Sequence, residues 1–140
     1  MRIIIDTNVA LDVLLNRNDF LPASLDVLKL AAIDKVAGFI TTKAVSDMYY
    51  VLYKNSKDVL KTKNAVEQLI KIINLESLIP SDITLAFKSD IKDYEDAVVC
   101  MVAKRIKADY IVTRNDADFI NSPIPALKPA DFLTKFSSST

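Results

Sequence analysis

Arg2-Ile3-Ile4-Ile5-Asp6-Thr7-Asn8 opens this chain, and its reading decides the fold. Three consecutive isoleucines make a short β-branched apolar run, the pattern of a strand buried on both faces. The run stops at three polar side chains, which places a carboxylate at the strand's carboxyl end. In open α/β sheets that edge is where ligands bind. Taking a charged carboxylate out of water costs several kcal/mol unless a cation or hydrogen-bond donors meet it. Asp6 therefore calls for a positive partner.

Outward from this strand the chain alternates between helical and extended patterns. A short helix is predicted over 9–16. A longer one covers 21–36, with Leu25, Leu28 and Ala32 at helical spacing and Pro22 in its first turn. Gly38-Phe39-Ile40-Thr41 reads as a second strand, followed by helices over 42–54 and 58–74. The latter carries Val59, Val66, Leu69, Ile70 and Ile73 along an apolar stripe. A third short strand is expected within 75–80, then a helix over 81–89 capped by Ser81 or Asp82. The helix over 93–107 is apolar all round in its middle, from Ala97 to Ala103, and is expected deep against the centre of the sheet. A fourth strand, 110–113, ends in Arg114-Asn115-Asp116. A fifth near 126–128 leads into a helix from Pro129, and 137–140 is expected as a disordered tail. This alternation predicts one α/β domain over 1–136, a three-layer α/β/α sandwich around a central parallel sheet.

Composition narrows the chemistry. With 140 residues, 51% of them hydrophobic, the chain can bury a real core. A formal net charge of zero gives no general basic field for coating a nucleic acid, although a local basic rim remains open. The lone cysteine, Cys100, excludes an internal disulfide and fits a reducing cytoplasm. Ile3 to Ile5 is too short for a signal peptide, and the longest apolar run is too short to span a bilayer. There is no histidine, and Gly38 is the only glycine. Imidazole acid–base chemistry, histidine-held zinc and Gly-rich phosphate loops are therefore excluded. Chemistry here has to come from carboxylates, hydroxyls, amides and basic groups. Carboxylates without imidazole point to Mg²⁺ or Mn²⁺.

The acids fall at matching places. Asp6 follows the first strand, and Asp47 lies in the helix after the second. Asp93, Glu95 and Asp96 begin the apolar helix, and Asp116 and Asp118 follow the fourth strand. Strand ends and the starts of the following helices share one edge of a parallel sheet, so four segments can bring carboxylates to one cleft. Plainer readings stand beside this one. Asp93 and Asp96 resemble a capping box, yet lie about 60° apart on the helix and can face one site together. Asp47, away from the stripe of Val45, Met48, Tyr49 and Leu52, can be a solvent-facing residue. Asp116 and Asp118 can be turn formers, and Asn8 or Thr7 a helix cap.

Asp6-Thr7-Asn8 after an apolar strand, an acid in the helix after the second strand, Glu95-Asp96-Ala97 and Thr113-Arg114-Asn115-x-x-Asp118-Phe119 together resemble the PIN-domain nucleases, a family that includes the VapC-type toxins of bacterial toxin–antitoxin pairs. The resemblance covers essentially the whole chain. It implies an acid cluster binding Mg²⁺ or Mn²⁺ and endonucleolytic cleavage, usually of RNA. Carried over, Asp6, Asp96 and Asp118 are the metal ligands, and Asp47, where many members have glutamate, joins them as a catalytic acid. Thr7, Asn8, Thr113 and Asn115 correspond to polar residues that orient the carboxylates, with Asp93 and Asp116 as neighbours able to supplement them. Arg114 is the expected phosphate contact.

The implied chemistry needs no histidine, because divalent ions can relieve charge on a phosphate, activate water and stabilise the leaving oxygen. RNA is the expected substrate, and an antitoxin chain and a second copy of the protein are the expected partners. Tyr49, Tyr50 and Tyr53 are read as core or interface packing. Two other readings compete. An aspartyl-nucleophile phosphatase of the haloacid-dehalogenase-like class also places an acid after its first strand, but normally needs a second Asp where Asn8 stands. A PIN-like binding or assembly module without activity is the other.

Overall fold

Alternation along the first strand sets the architecture. In the computed structural model, which describes residues 1–139, β1 is Arg2–Ile5. Ile3 and Ile5 enter one apolar core and Ile4 enters a second on the opposite face, as the two-residue period of a strand requires. Four further strands are β2 (Ala37–Thr41), β3 (Asn74–Glu76), β4 (Tyr110–Val112) and β5 (Ala126–Leu127). They form one sheet in the order β3-β2-β1-β4-β5, every pair parallel. Ile4 lies between Phe39 of β2 and Ile111 of β4, which puts β1 at the centre.

The helices are α1 (Thr7–Leu14), α2 (Leu21–Ala32), α3 (Thr42–Ser56), α4 (Val59–Ile70), α5 (Pro80–Phe87), α6 (Tyr94–Arg105) and α7 (Pro129–Ser138). Side chains of α1 to α4 and α7 build the core around Ile3 and Ile5, while α5 and α6 pack over Ile4 and Ile111. The three layers predicted from the alternation are present. In α6, Ala97, Cys100, Val102 and Ala103 are fully buried, as the apolar run requires. Gly38 in β2 permits close packing of α2, since a Cβ there would stand 3.1 Å from that of Ala31.

Several boundaries differ from the sequence expectation, each for a local reason. Helix α1 begins at Thr7, because Asp6 itself is the cap and accepts the Thr7 N–H; neither Asn8 nor Thr7 serves that role. Helix α2 stops at Ala32, before Asp34, whose φ of 58° is left-handed and cannot continue a helix. The cap of α5 is Ile79, with Asp82 reaching back to its N–H at 2.9 Å. Helix α7 continues to Ser138 with Ser139 as its cap, so it enters the segment expected as a tail, of which Thr140 lies outside the described residues. A 3-10 turn over Asp116–Phe119 follows β4.

Candidate active site

The strand order reverses direction at β1. The connection from β1 leads to β2 on one side, whereas β4, on the other side, leads outward to β5. The crevice beyond the carboxyl ends of β1 and β4 is therefore a topological switch point, the usual place for a ligand in an open α/β sheet. Asp6 and Thr113 stand at those two ends.

Asp6 is held from three directions. Its Oδ1 accepts the Thr7 N–H at 2.8 Å. Its Oδ2 accepts the Thr113 hydroxyl at 2.7 Å and the Asn8 amide at 3.2 Å. A carboxylate offers about four lone-pair positions, so one on Oδ1 remains for a further partner. Burial pushes the Asp6 carboxyl up, opposed by the bonds from Thr113, Thr7 and Asn8 and by the charge of Arg114. The site thus orients Asp6 without fully neutralising it.

Asp96 faces the same cleft from the first turn of α6. Asp93 caps that helix through the Asp96 N–H at 3.0 Å, so of the two acids Asp93 does the capping and Asp96 is left to the cleft. The Asp96 carboxyl is pushed up to about 7, first by burial and then by the charges of Asp93, Asp6, Asp118 and Glu95. Asp118, exposed on the turn after β4, contributes to that field. Asp116 instead lies 3.9 Å from Lys128. Among the described residues no three acidic side chains converge closely enough to share one ion as they stand.

Asp47 is at the rim, paired with Lys43 at 2.7 Å. Lys43 also reaches Glu95 at 3.3 Å; the bond to Asp47, followed by that to Glu95, raises its pKa. The fourth acid thus already has an ion-pair partner in the chain, whereas, with Arg114 acting on Asp6 only through its charge at a distance, Asp6 and Asp96 have none among the described residues. Between them runs a cleft of about 260 Å³, which Asp6, Lys43, Asp47, Glu95 and Asp96 line together with apolar side chains.

Arg114 is anchored. Its Nε donates to Asp12 at 2.8 Å, and its guanidinium lies over the Phe20 ring at 4.1 Å. Asp12, wholly buried, also takes Arg17 at 3.3 Å and the Ser24 hydroxyl at 3.2 Å. The Arg114 N–H in turn donates to Asn8 Oδ1 at 3.2 Å, and Asn115 N–H to the Thr113 hydroxyl at 3.1 Å. Asp12 is thus the far end of a chain running through Arg114 and Asn8 to Asp6, and the sequence reading did not single it out. A lone acid inside Val9-Ala10-Leu11-x-Val13-Leu14, four residues after Asn8 and so on its helix face, was the available signal.

Cys100, behind Asp96 on α6, has its thiol raised to about 11, mainly by burial, with the Ser122 hydrogen bond lowering it and the charges of Asp96 and Asp6 adding to the rise. It is a buried core residue with no nucleophilic part in this site.

Comparison with known proteins agrees with the architecture. The sequence matches the PIN domain family over residues 2–117. No curated protein sequence matches the chain. Among solved structures, VapBC2 from Rickettsia felis, bound to a DNA fragment from its promoter, is similar with a TM-score of 0.72 at 14% identity, covering 91% of this chain and 98% of that one. FitAcB from Neisseria gonorrhoeae is similar at 0.68 and 15% identity, covering 91% and 98%. VapC20 of Mycobacterium tuberculosis, a Sarcin-Ricin loop cleaving toxin, is similar at 0.61 and 11% identity, covering 78% and 86%. At these identities the likeness is one of fold.

Proposed function

The chain belongs to the PIN-domain family, and on that premise we propose that it is a metal-dependent endoribonuclease, the toxin of a toxin–antitoxin pair. One observation carries the reading: Asp6 and Asp96 line one cleft at the switch point of the sheet, and among the described residues neither is ion-paired, the lysine of that cleft, Lys43, being held by Asp47 and Glu95. Asp6 caps α1, but a second carboxylate beside it has little use in stabilising the fold, because like charges in a partly buried cleft repel.

The donor set fits a hard divalent ion. It is all oxygen, which suits Mg²⁺ or Mn²⁺. Mg²⁺ is commonly held by one or two carboxylates and keeps several waters beside a substrate phosphate. Two acids, with Asp118 within electrostatic reach, are enough for that arrangement, and a closed cage of three is not required. Asp6, through its remaining Oδ1 position, and Asp96 would hold the ion, with Asp118 supplementing them. When bound, such an ion supplies charge relief on the phosphate and a more acidic water.

The chain's own residues do the positioning. Thr7, Asn8 and Thr113 fix the Asp6 carboxylate, and Asp12 fixes Asn8 through Arg114. Lys43, between Asp47 and Glu95, holds those two rim carboxylates in place. Asn8 donates to Asp6 where an aspartyl phosphatase needs a second acid, so hydrolysis without a covalent aspartyl intermediate is the better reading. Support for an antitoxin partner comes from the VapBC and FitAcB neighbours and from exposed apolar residues on α3 and α4, such as Tyr50 and Leu60. Such residues also suit a homodimer.

The test is cleavage of a mixed-sequence single-stranded RNA with Mn²⁺ or Mg²⁺, comparing the wild type with Asp6→Asn. Activity is expected to fall by about a hundredfold or more, beyond the loss typical of residues that only orient metal ligands. Undiminished cutting by the variant overturns the assignment. Growth arrest on expression, relieved by the neighbouring gene, tests the toxin role separately.

A further inference from the structure

The cleft between Asp6 and Asp96 has a second half that the acid chemistry does not use. It is an apolar wall: Leu78, Ile83, Val98 and Val99 line the cleft together with Tyr94. Leu78, Ile83 and Val99 pack against the α5–α6 core yet stay partly exposed on this side. The Tyr94 ring stacks on that of Phe87, with centroids 4.8 Å apart and planes 26° from parallel. The parts of these side chains that face the cleft stay in contact with water and add nothing to that core.

We propose that this wall is a base-binding subsite, taking one unpaired nucleobase next to the phosphate that sits at Asp6 and Asp96. The inference rests on the ribonuclease reading and adds to it a substrate contact. A phosphodiester placed at the two acids carries a nucleotide on each side, and a flanking base is within one nucleotide's reach of the phosphate. On this side of the acids the surface it meets is the apolar wall. The whole cleft, acid and apolar parts together, measures about 260 Å³, below the roughly 300–1,000 Å³ of pockets for drug-sized ligands, which limits the apolar part to no more than one planar ring system. Apolar walls and a ring edge bind the flat faces of bases with little sequence preference. Only an unstacked base can enter, so the subsite selects single strands, loops and bulges over duplex. Lys43 at the rim is placed for the adjoining backbone.

The experiment places an abasic nucleotide at each position of a single-stranded RNA of known cut site. With the wild type, kcat/KM is expected to fall about tenfold when the missing base adjoins the cut, and less than twofold elsewhere. Val99→Phe, which fills the slot, is expected to lower kcat/KM for intact RNA about tenfold through KM and to erase the penalty of the abasic position. Equilibrium binding of fluorescein-labelled RNA, read by anisotropy in the Asp6→Asn background with and without Val99→Phe, should show the same non-additive pattern without cutting. If Val99→Phe does not fold, Ile83→Ala serves: it is expected to weaken binding several-fold and to shrink the abasic penalty. RNA that is cut with a flat abasic profile overturns the subsite and leaves the nuclease reading standing. RNA neither bound nor cut overturns both. Loss-free behaviour of the filled variant means that the wall receives a protein side chain or nothing, and the proposal falls.

Discussion

Two aspartates on this chain illustrate how the same residue type takes opposite energetic roles. Asp12 is fully buried but meets Arg114, Arg17 and the Ser24 hydroxyl. Asp96 is less buried yet meets only other acids, which with burial push it up to about 7. The same substitution should therefore act with opposite sign. Asp12→Asn removes the charge that two guanidinium groups depend on and is expected to destabilise the fold by about 3 kcal/mol. Asp96→Asn removes a repelled charge and is expected to stabilise the protein in EDTA. With solvent screening the gain is about 1 kcal/mol, a Tm rise of roughly 4 °C. The same variant should lose RNA cleavage. Urea and thermal unfolding of both variants in EDTA check the prediction; a lower Tm for Asp96→Asn removes the argument that this carboxylate is held in the cleft for function.

At the scale of elements, Arg105 at the end of α6 ties together segments distant in sequence. Its Nε and Nη2 each donate to Asp82 of α5 at 3.0 Å, Nη1 reaches Glu76 of β3 at 2.7 Å, and Nη2 also reaches the Ser77 carbonyl at 2.8 Å. Asp82, then Glu76, hold its pKa above the ordinary guanidinium range. Only a planar fork can make these bonds at once, so Arg105→Lys is not conservative here. It is expected to cost about 2 kcal/mol, and Arg105→Ala about 3 kcal/mol, because buried Asp82 then keeps only the Ile79 N–H and no cation. Urea unfolding midpoints at constant m-value measure both.

This clamp was not legible in the sequence, whereas the elements it joins largely were. Ile3-Ile4-Ile5 and Ala97 to Ala103 declare themselves, because burial on both faces or all round leaves no polar period. Helix limits were less legible: Asp6 capping its own neighbour and the left-handed Asp34 depend on backbone angles that residue type only biases. For the site, Asp6 at a strand end was legible as a carboxylate that calls for a positive partner. Asp12 was not, since its worth depends on Arg114, 102 positions away. Lys43 and Asp47 sit four apart on one helix, a local pattern, but the reach of Lys43 to Glu95 has the same cause as Asp12, because pairing across segments is decided by packing.

At the scale of the whole molecule, the parallel sheet brings acids from separate segments to one edge and leaves their mutual repulsion unrelieved. Asp6 arrives from β1, Asp96 from α6 and Asp118 from the turn after β4. In the unfolded chain these residues are far apart, so an ion held by two or three of them binds the folded state alone. Linkage then makes metal affinity a stability: at about a hundred times its Kd, a ligand of the native state adds about 2.7 kcal/mol, roughly 9 °C of Tm for a chain of this size. The wild type is therefore expected to melt higher as Mn²⁺ or Mg²⁺ is raised to millimolar levels, and the rise should be logarithmic in concentration once the site fills. Asp6→Asn/Asp96→Asn should start higher in EDTA than Asp6→Asn alone and show no response to either ion. Ca²⁺ and Na⁺ at matched ionic strength separate site binding from screening, since screening acts on every exposed charge and persists in the double variant. A melt of the wild type that ignores Mn²⁺ and Mg²⁺ removes the metal from the proposed function, and with it the reason for the fold to gather these acids.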